Sequence, residues 1–284
     1  MSPPRRSISS TPPAVCVFNL QKYISEEVLQ MTMLQPFCFQ IFSAREFPPI
    51  SEQLRRVAEI GFRAIETYRD LYENPAQMRE LLDQYNLSAP TGHFALSALE
   101  SELERHMKAA RILGIETMIV PFLPPANRAT DVAGWKAIGA RLEDMRRRVE
   151  VEGFGFAWHN HNWDMARLED GSTAIQHILG EEMQWQMDVA WLARSGQDPF
   201  EWMRRYHGRI CSIHFKDMAR PGENEDEMGW ADPGEGILPW DALWAAAIEA
   251  GASISVAEHD MPKDYVRFAS KAMAQLRILA GEIA

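Results

Sequence analysis

The sequence predicts an α/β protein whose fold is a closed (β/α)8 TIM barrel of eight parallel strands. From residue 35 onward, short apolar or β-branched runs alternate with segments of helical apolar spacing, and eight strand candidates occur before residue 284. Strict alternation of strands and helices gives parallel strands joined by helical crossovers, and eight such units close a barrel. An open doubly wound sheet is less favoured, because no glycine-rich phosphate turn follows any of the runs.

The predicted strands are short runs, several of which carry polar or ionisable residues at or near their C-terminal ends. They are residues 36–42, 62–67, 87–94, 117–122, 154–161, 183–190, 210–217 and 253–260. Several of the helices between them have clear boundaries. Pro75 and Pro239 occupy first-turn positions, where proline is well tolerated. Gly61, Gly114 and Gly251 follow apolar helical runs and are expected to cap the C-termini of those helices.

The composition of the chain limits the kinds of molecule that it is expected to bind. The formal net charge of −11 argues against duplex nucleic acid or an anionic membrane as the main partner. No apolar run approaches the roughly 20 residues that span a bilayer. The three cysteines, Cys16, Cys38 and Cys211, lack metal-site spacing and fit a reducing cytoplasm. We therefore expect a cytoplasmic protein with a small-molecule partner. The sequence leaves open whether the protein forms a homo-oligomer.

Residues 1–34 are rich in proline and serine and lack a clear apolar pattern, so we expect an N-terminal extension that is in part disordered. Its apolar run, AVCVF, is shorter than the roughly 7–15 residues of a signal-peptide core. The biological start stays open as well, because Met31 and Met33 lie just ahead of the first predicted strand.

Ionisable side chains gather at the C-terminal ends of the predicted strands. They are Glu66, His93, His159, His161, Asp188, His214, Lys216, Asp217, Glu258, His259 and Asp260. In a barrel these ends converge on the face where active sites are built. Imidazole and carboxylate ligands together suit Mn²⁺, Co²⁺, Fe²⁺ or Zn²⁺ better than Ca²⁺, so this face is expected to hold a divalent ion.

Two histidines lie unusually close together in an apolar run. His159 and His161 are two residues apart in FAWHNHNW, so a strand would turn both rings to the same face. Two imidazoles in a buried strand are costly unless something binds them. One ring is therefore expected to bind the ion, and the other to contact a substrate or orient the first ring.

Short motifs follow one another in the second half of the chain. They are HNH after strand five, DVAW with SGQDP after strand six, IHFKD on strand seven, GEG at 234–236 and VAEHD on strand eight. In this order and spacing they resemble the xylose isomerase-like TIM-barrel superfamily, in particular its sugar phosphate isomerase/epimerase group. The resemblance covers residues 35–280, and residues 35–284 are expected to form one catalytic barrel domain. It implies a metal-dependent isomerase or epimerase with a carbohydrate substrate.

The resemblance also implies that strands five to eight hold one divalent ion, Mn²⁺, Co²⁺, Zn²⁺ or Mg²⁺. Asp188, His214 and Glu258 match the ligand positions of the family directly. The ketose epimerases of the superfamily carry a glutamate at the strand-five position, where this chain has His159, with His161 as the near alternative. This departure weighs against a mechanism that uses one carboxylate on each face of the substrate.

With one carboxylate fewer, Glu258 is the expected general base, and the ion is the expected Lewis acid at the substrate carbonyl. Lys216 is expected to supply positive charge or a proton at the developing oxyanion, or else to form a salt bridge. The expected substrate contacts are Glu66, His93, His161 and Glu235. Glu235 belongs to an acidic, turn-rich segment, 218–240, which is expected to be a lid or rim.

Other functions of the same barrel stay open. A dehydratase or lyase acting on inososes or 3-keto sugars needs one base and a Lewis acid, which suits the missing glutamate. A sugar-binding barrel without catalysis is a further alternative. A DNA-repair endonuclease of the superfamily is disfavoured, because Trp191 stands where that family needs a histidine.

Overall fold

The computed structural model describes residues 36–283. The extension expected at residues 1–34 lies outside these described residues. The strands within them are β1 (Phe37–Gln40), β2 (Ala64–Tyr68), β3 (Ser88–His93), β4 (Thr117–Val120), β5 (Gly155–His159), β6 (Gln184–Asp188), β7 (Ile210–Phe215), β8 (Asp217–Met218), β9 (Trp230–Ala231) and β10 (Ile254–Ala257). Each of the predicted runs overlaps one of the longer strands.

Strands β1–β7 and β10 form a closed barrel in the spatial order β1-β10-β7-β6-β5-β4-β3-β2. Neighbouring strands in this barrel are parallel, so the predicted fold class is confirmed. The register places Asp188 of β6 directly beside His214 of β7. On the other side of β7, His214 pairs with Val256 of β10. Polar residues at the ends of these strands are thereby brought to one part of the barrel mouth.

The α-helices of the described residues connect the strands. They are α1 (Ile50–Ile60), α2 (Pro75–Gln84), α3 (Leu96–Leu113), α4 (Val132–Val151), α5 (Ala174–Leu179), α6 (Val189–Arg194), α7 (Pro199–Arg205), α8 (Trp240–Glu249) and α9 (Tyr265–Leu279). In this part of the chain, none of them is long and apolar enough to cross a membrane.

The helix ends follow the signals in the sequence. Pro75 begins α2 directly after Asn74, whose side chain accepts a hydrogen bond from the N–H of Gln77. Gly61 and Gly114 end α1 and α3 with φ angles of 122° and 76°. Positive φ angles favour glycine, because it has no Cβ, and both C-terminal caps are therefore confirmed.

The strands of the barrel separate apolar from polar side chains. Phe39 of β1 packs between Phe62 and Phe268, with ring centroids 5.4 and 5.9 Å away. Glu66 of β2 and Gln186 of β6, in contrast, are completely buried polar residues. Polar groups are tolerated in an interior when they are hydrogen-bonded. These buried polar residues lie two residues before the C-terminal ends of their strands.

Asp217 anchors the segment between β8 and α8. Its carboxylate accepts hydrogen bonds from the backbone N–H groups of Met218, Gly234, Gly236 and Leu238, at 2.8, 3.0, 3.2 and 3.1 Å. Glycine is required at position 236, because a Cβ there would lie 2.1 Å from Asp217 Oδ1. The last residue of IHFKD and the GEG motif are thus joined in a structural clasp.

Candidate metal centre

Three potential metal ligands converge where β6, β7 and β10 end. Asp188 is the last residue of β6, His214 lies in β7 and Glu258 directly follows β10. His214 Nδ1 lies 3.8 Å from Asp188 Oδ2 and 3.9 Å from Glu258 Oε2. One donor atom from each of the three residues lies within 4.8 Å of the other two. The structure therefore brings together the three positions that the sequence resemblance assigns to an ion.

The donor atoms of these residues are buried, and two of them lack hydrogen-bond partners. Asp188 Oδ2 and His214 Nδ1 have none among the described residues, whereas Glu258 Oε2 has an ion-pair contact with Lys216 Nζ at 2.7 Å. A single buried and unsatisfied polar atom costs roughly 1–3 kcal/mol, so two adjacent ones require an explanation. Two carboxylate oxygens and one imidazole nitrogen at this spacing fit a divalent cation.

Lys216 lies beside the carboxylates and not in the open cavity. Its Nζ atom is 2.7 Å from Glu258 Oε2 and 3.6 Å from Asp188 Oδ2, and it also contacts the carboxylate of Asp260. Burial alone would lower the pKa of Lys216, but the three carboxylates hold it above its usual range. The side chain is a permanent cation that is fully occupied by ion pairs.

The charges around Lys216 do not balance. One ammonium faces three carboxylates, and burial together with the charge of Asp260 raises the pKa of Glu258 to about 8, although Lys216 acts in the opposite direction. Burial likewise raises the pKa of Asp188, against the effect of Lys216 and His214. An excess of buried negative charge is a further feature that a divalent cation would relieve.

The two histidines of HNH occupy different surroundings. His159 is buried beside His214, with 4.4 Å between ring centroids, and donor atoms of His93, His159 and His214 lie within 4.8 Å of one another. His161 is farther out, where its ring packs 5.5 Å from that of Trp191. Burial lowers the pKa of His161 to about 3 and that of His159 well below its usual value. Both rings are therefore neutral, and geometry favours His159 over His161 as the histidine nearer the ion.

Asn160, the middle residue of HNH, fixes the backbone of Asp188. Its Oδ1 accepts hydrogen bonds from the backbone N–H of Asp188 and from Trp185 Nε1, both at 2.8 Å. Its Nδ2 donates to the carbonyl oxygen of Asp188 at 3.1 Å. In the HNH motif, the asparagine therefore has a structural role, and it lies between two histidines that are candidates for binding.

Glu66 lies beneath the cavity and not in its wall. Its Oε1 accepts hydrogen bonds from Gln40 Nε2 at 2.7 Å and from His214 Nε2 at 2.9 Å, while Oε2 accepts one from Gln186 Nε2 at 2.6 Å. Burial would raise the pKa of this carboxyl, but His93 and His214 lower it well below its usual value. These contacts favour a role in orienting His214 over the substrate contact that the sequence suggests.

His93 lies between this buried network and the open cavity. Its Nε2 atom is 3.0 Å from Glu66 Oε1 and 2.8 Å from Gln186 Oε1. Burial alone would lower its pKa, but Glu66 raises it above the usual value. Gln40 and Gln186 are members of this network that sequence reasoning missed. Gln186 could have been found, because it precedes Asp188 by two residues and so shares its strand face.

A cavity of about 460 Å³ opens above these residues. His93, His159, His161, His214, Glu258 and Asp260 line its inner end. Glu235 does not line it, and its carboxylate lies 2.7 Å from Lys271 Nζ on the surface. The segment 218–240, which was expected to be a lid or rim, contributes no lining residue within the described chain. The backbone of this segment is instead bound by the carboxylate of Asp217.

Known proteins share this fold and parts of this sequence. A family profile described as "Xylose isomerase-like TIM barrel" matches residues 54–276. The rhizopine catabolism protein MocC of Rhizobium meliloti is 22% identical over 188 residues, which are 60% of this chain and 58% of MocC. An inosose dehydratase of Lacticaseibacillus casei is 21% identical over 231 residues, which are 67% of this chain and 75% of the dehydratase.

Solved structures give the same picture at the level of the fold. A sugar phosphate isomerase/epimerase from Parabacteroides distasonis superposes with a TM-score of 0.70 at 18% identity, covering 86% of this chain and 93% of its own. The IolI protein, whose structure has a bound zinc atom, gives a TM-score of 0.70 at 15% identity, covering 87% of this chain and 99% of its own. At these identities the likeness concerns the fold alone.

Proposed function

Since this chain belongs to the xylose isomerase-like TIM-barrel family, we propose that it is a divalent-metal-dependent sugar isomerase or epimerase that removes a proton next to a carbonyl. Sugar isomerases, epimerases and an inosose dehydratase are among its relatives. The observation that carries the proposal is the convergence of buried donor atoms of Asp188, His214 and Glu258, of which Asp188 Oδ2 and His214 Nδ1 have no hydrogen-bond partners among the described residues. His159 is the proposed fourth ligand, because it lies beside His214.

A bound divalent ion would act as a Lewis acid that polarises a carbonyl of the substrate. Glu258 is the proposed base, because its carboxylate is the one predicted ligand carboxylate that also lines the cavity. The pKa of Glu258 is about 8 in the ion-free chain, and a bound cation would lower it, so that the carboxylate would be deprotonated and able to accept a proton. Lys216 does not line the cavity, so we propose that it holds the carboxylates of Glu258 and Asp260 in place.

The remaining lining residues would bind substrate hydroxyls. His161 has an Nδ1 atom without a partner among the described residues, and it faces the cavity. A neutral imidazole can donate or accept a hydrogen bond, as a carbohydrate hydroxyl requires. His93 lines the same cavity, and we propose it as a second residue in contact with the substrate.

A dehydratase acting on an inosose or a 3-keto sugar is the second candidate. The observation that favours it is His159 at the strand-five position, where a two-base epimerase would need a carboxylate. Elimination of water requires one base next to the carbonyl and an acid that protonates the departing hydroxyl. The inosose dehydratase among the relatives supports this alternative as well.

One experiment tests both candidates. The metal-loaded chain is incubated in deuterium oxide with keto and aldo sugars, inososes and 3-keto glycosides, and the products are analysed by mass spectrometry. An isomerase or epimerase incorporates deuterium next to the carbonyl without loss of mass, whereas a dehydratase yields a product that lacks one water. Glu258→Gln should abolish either result, while Glu235→Gln should not change it. If no substrate exchanges deuterium or loses water, both candidates fail and a sugar-binding barrel without catalysis remains.

A further inference from the structure

The mouth of the barrel has two chemically different halves. The proposed ligands of the ion come from β5, β6, β7 and β10, which are consecutive in the closed barrel. The other four strands, β1–β4, supply most of the remaining cavity wall. Its apolar side chains include Phe42, Tyr68, Leu96, Pro121, Phe122 and Leu123. The polar residues of the same half are Gln40, Arg69, His93, Ser97, Asn127 and Arg141. A substrate bound at the ion would face this apolar half directly.

Phe122 is the clearest feature of the apolar half. It is 39% exposed, although it is a large apolar side chain, and it lines the cavity. Two neighbouring side chains contact its ring. The guanidinium of Arg128 lies 4.9 Å from the ring centroid, and the ring of Trp163 lies 6.2 Å away. Pro121 and Pro124 on either side restrict the backbone of this loop. An exposed but fixed aromatic ring is a preformed binding surface.

The cavity is also larger and less polar than a single sugar ring needs. Its volume of about 460 Å³ lies in the range of pockets for drug-sized ligands, roughly 300–1,000 Å³. Hydroxyl groups placed against Leu96 or Phe122 would lose their contacts with water without gaining protein partners. The apolar half is therefore matched to an apolar part of a ligand and not to a second polyol.

Two arginines line the cavity, and each contacts a carboxylate. Arg141 is engaged by both oxygens of Glu100, at 2.9 Å each. Arg69 lies 3.0 Å from Asp70 through its Nε atom only, and its side chain is 76% exposed. Arg69 is therefore open to an anionic group, and for this reason the experiment below includes a phosphorylated sugar.

We infer that the β1–β4 half of the cavity binds an aromatic substituent of the substrate, so that the substrate is a carbonyl-bearing sugar with an aromatic substituent, such as a keto aryl glycoside, and not a free monosaccharide. The inference rests on the proposed function, because that function places the sugar ring at the ion. The aromatic group would pack against Phe122 and Leu96 while the sugar hydroxyls face the histidines.

Matched pairs of ligands test this inference without requiring turnover. Isothermal titration calorimetry compares phenyl with methyl β-D-glucopyranoside, and phenyl with methyl β-D-galactopyranoside, on the Mn²⁺-loaded chain and on the EDTA-treated chain. The phenyl member of a pair should bind about tenfold more tightly. Phe122→Ala should reduce this advantage about fivefold, while Phe122→Tyr should retain it. Val151→Ala, at an 85% exposed apolar residue, is the matched control and should change nothing.

The outcomes separate this inference from the proposed function. A phenyl advantage that depends on Phe122, without any turnover or ion binding, would reject the proposed function alone. Turnover of simple sugars with equal affinities for phenyl and methyl glycosides would reject the aromatic subsite alone. Tighter binding of glucose 6-phosphate than of the phenyl glucoside, or no detectable binding of either phenyl glycoside, would also overturn the subsite.

Discussion

His214 Nε2 lies 2.9 Å from Glu66 Oε1, and the other ring nitrogen, Nδ1, lies 3.8 Å from Asp188 Oδ2 and 3.9 Å from Glu258 Oε2. A carboxylate can only accept a hydrogen bond, so Nε2 carries the proton and Nδ1 presents its lone pair to the carboxylates. A carboxylate behind a ligating histidine fixes the orientation of the ring and increases its basicity. Glu66 therefore orients the proposed ligand His214 from a completely buried position.

The proposed ligand set predicts the metal content of the chain. The purified protein should carry about one divalent ion, and Asp188→Ala or His214→Ala should lower ion affinity by more than the roughly 10–100-fold typical of outer-shell changes. His207→Ala, at an exposed histidine, is the control and should leave the ion in place. Elemental analysis after dialysis measures the result. Equal ion content in all of these proteins would contradict the assignment.

The contact between Glu66 and His214 predicts an indirect effect on the same ion. Glu66→Gln replaces an acceptor of three hydrogen bonds by an amide that brings its own N–H donors into a space already filled by donors. Ion affinity should fall about 10–100-fold without being lost. Competition with a fluorescent chelator measures the change. Unchanged affinity in Glu66→Gln would show that His214 is oriented by other contacts.

The barrel and the convergence of its strand ends could be predicted from the sequence, because apolar periodicity reports strands and topology then dictates where they end. The neutral amide of Gln40 could not be identified in this way, since an amide has no titratable group and looks like any polar residue, whereas the spacing of Gln186 from Asp188 offered a signal. Glu66 illustrates a different limit. Sequence shows that it ends a strand, but not whether its carboxylate points into the cavity or into the packed interior below it.

Glu235 shows how a motif can mislead about location. The GEG motif suggests a loop over the active site, yet Gly234 and Gly236 lie against Asp217 and Glu235 points to Lys271. The contact that decides this placement joins residues 17 and 19 positions apart. Strand and helix periodicity carries no information about such a contact, so only the folded structure reveals that the motif serves stability.

The Asp217 clasp predicts a specific loss of stability. Gly236→Ala would place a Cβ 2.1 Å from Asp217 Oδ1, so either the carboxylate or the loop must move. Overpacking of this kind costs roughly 1–3 kcal/mol in the free energy of unfolding. Urea denaturation followed by circular dichroism measures it, with Glu235→Ala at the exposed neighbouring position as the control. A Gly236→Ala protein as stable as the control would mean that the clasp is not needed to hold the segment.

The raised pKa of Glu258 predicts how ion binding and pH act together on stability. Its value in the ion-free chain is about 8, against an ordinary value of 4.5, so between these pH values the folded chain binds a proton that the unfolded chain has released. Stability of the ion-free chain should therefore fall as pH rises through this range, by up to about 1.4 kcal/mol per pH unit. A bound ion requires the deprotonated carboxylate, so the ion should compete with protons and bind more tightly as pH rises.

The difference in melting temperature between the Mn²⁺-loaded and the EDTA-treated chain should accordingly increase from pH 6 to pH 8. Glu258→Gln removes the titrating group, so its difference should be small and should vary much less with pH. Differential scanning fluorimetry of both proteins at several pH values gives the comparison. If the wild-type difference stays constant while ion binding is intact, the carboxylate that loses its proton on ion binding is not Glu258.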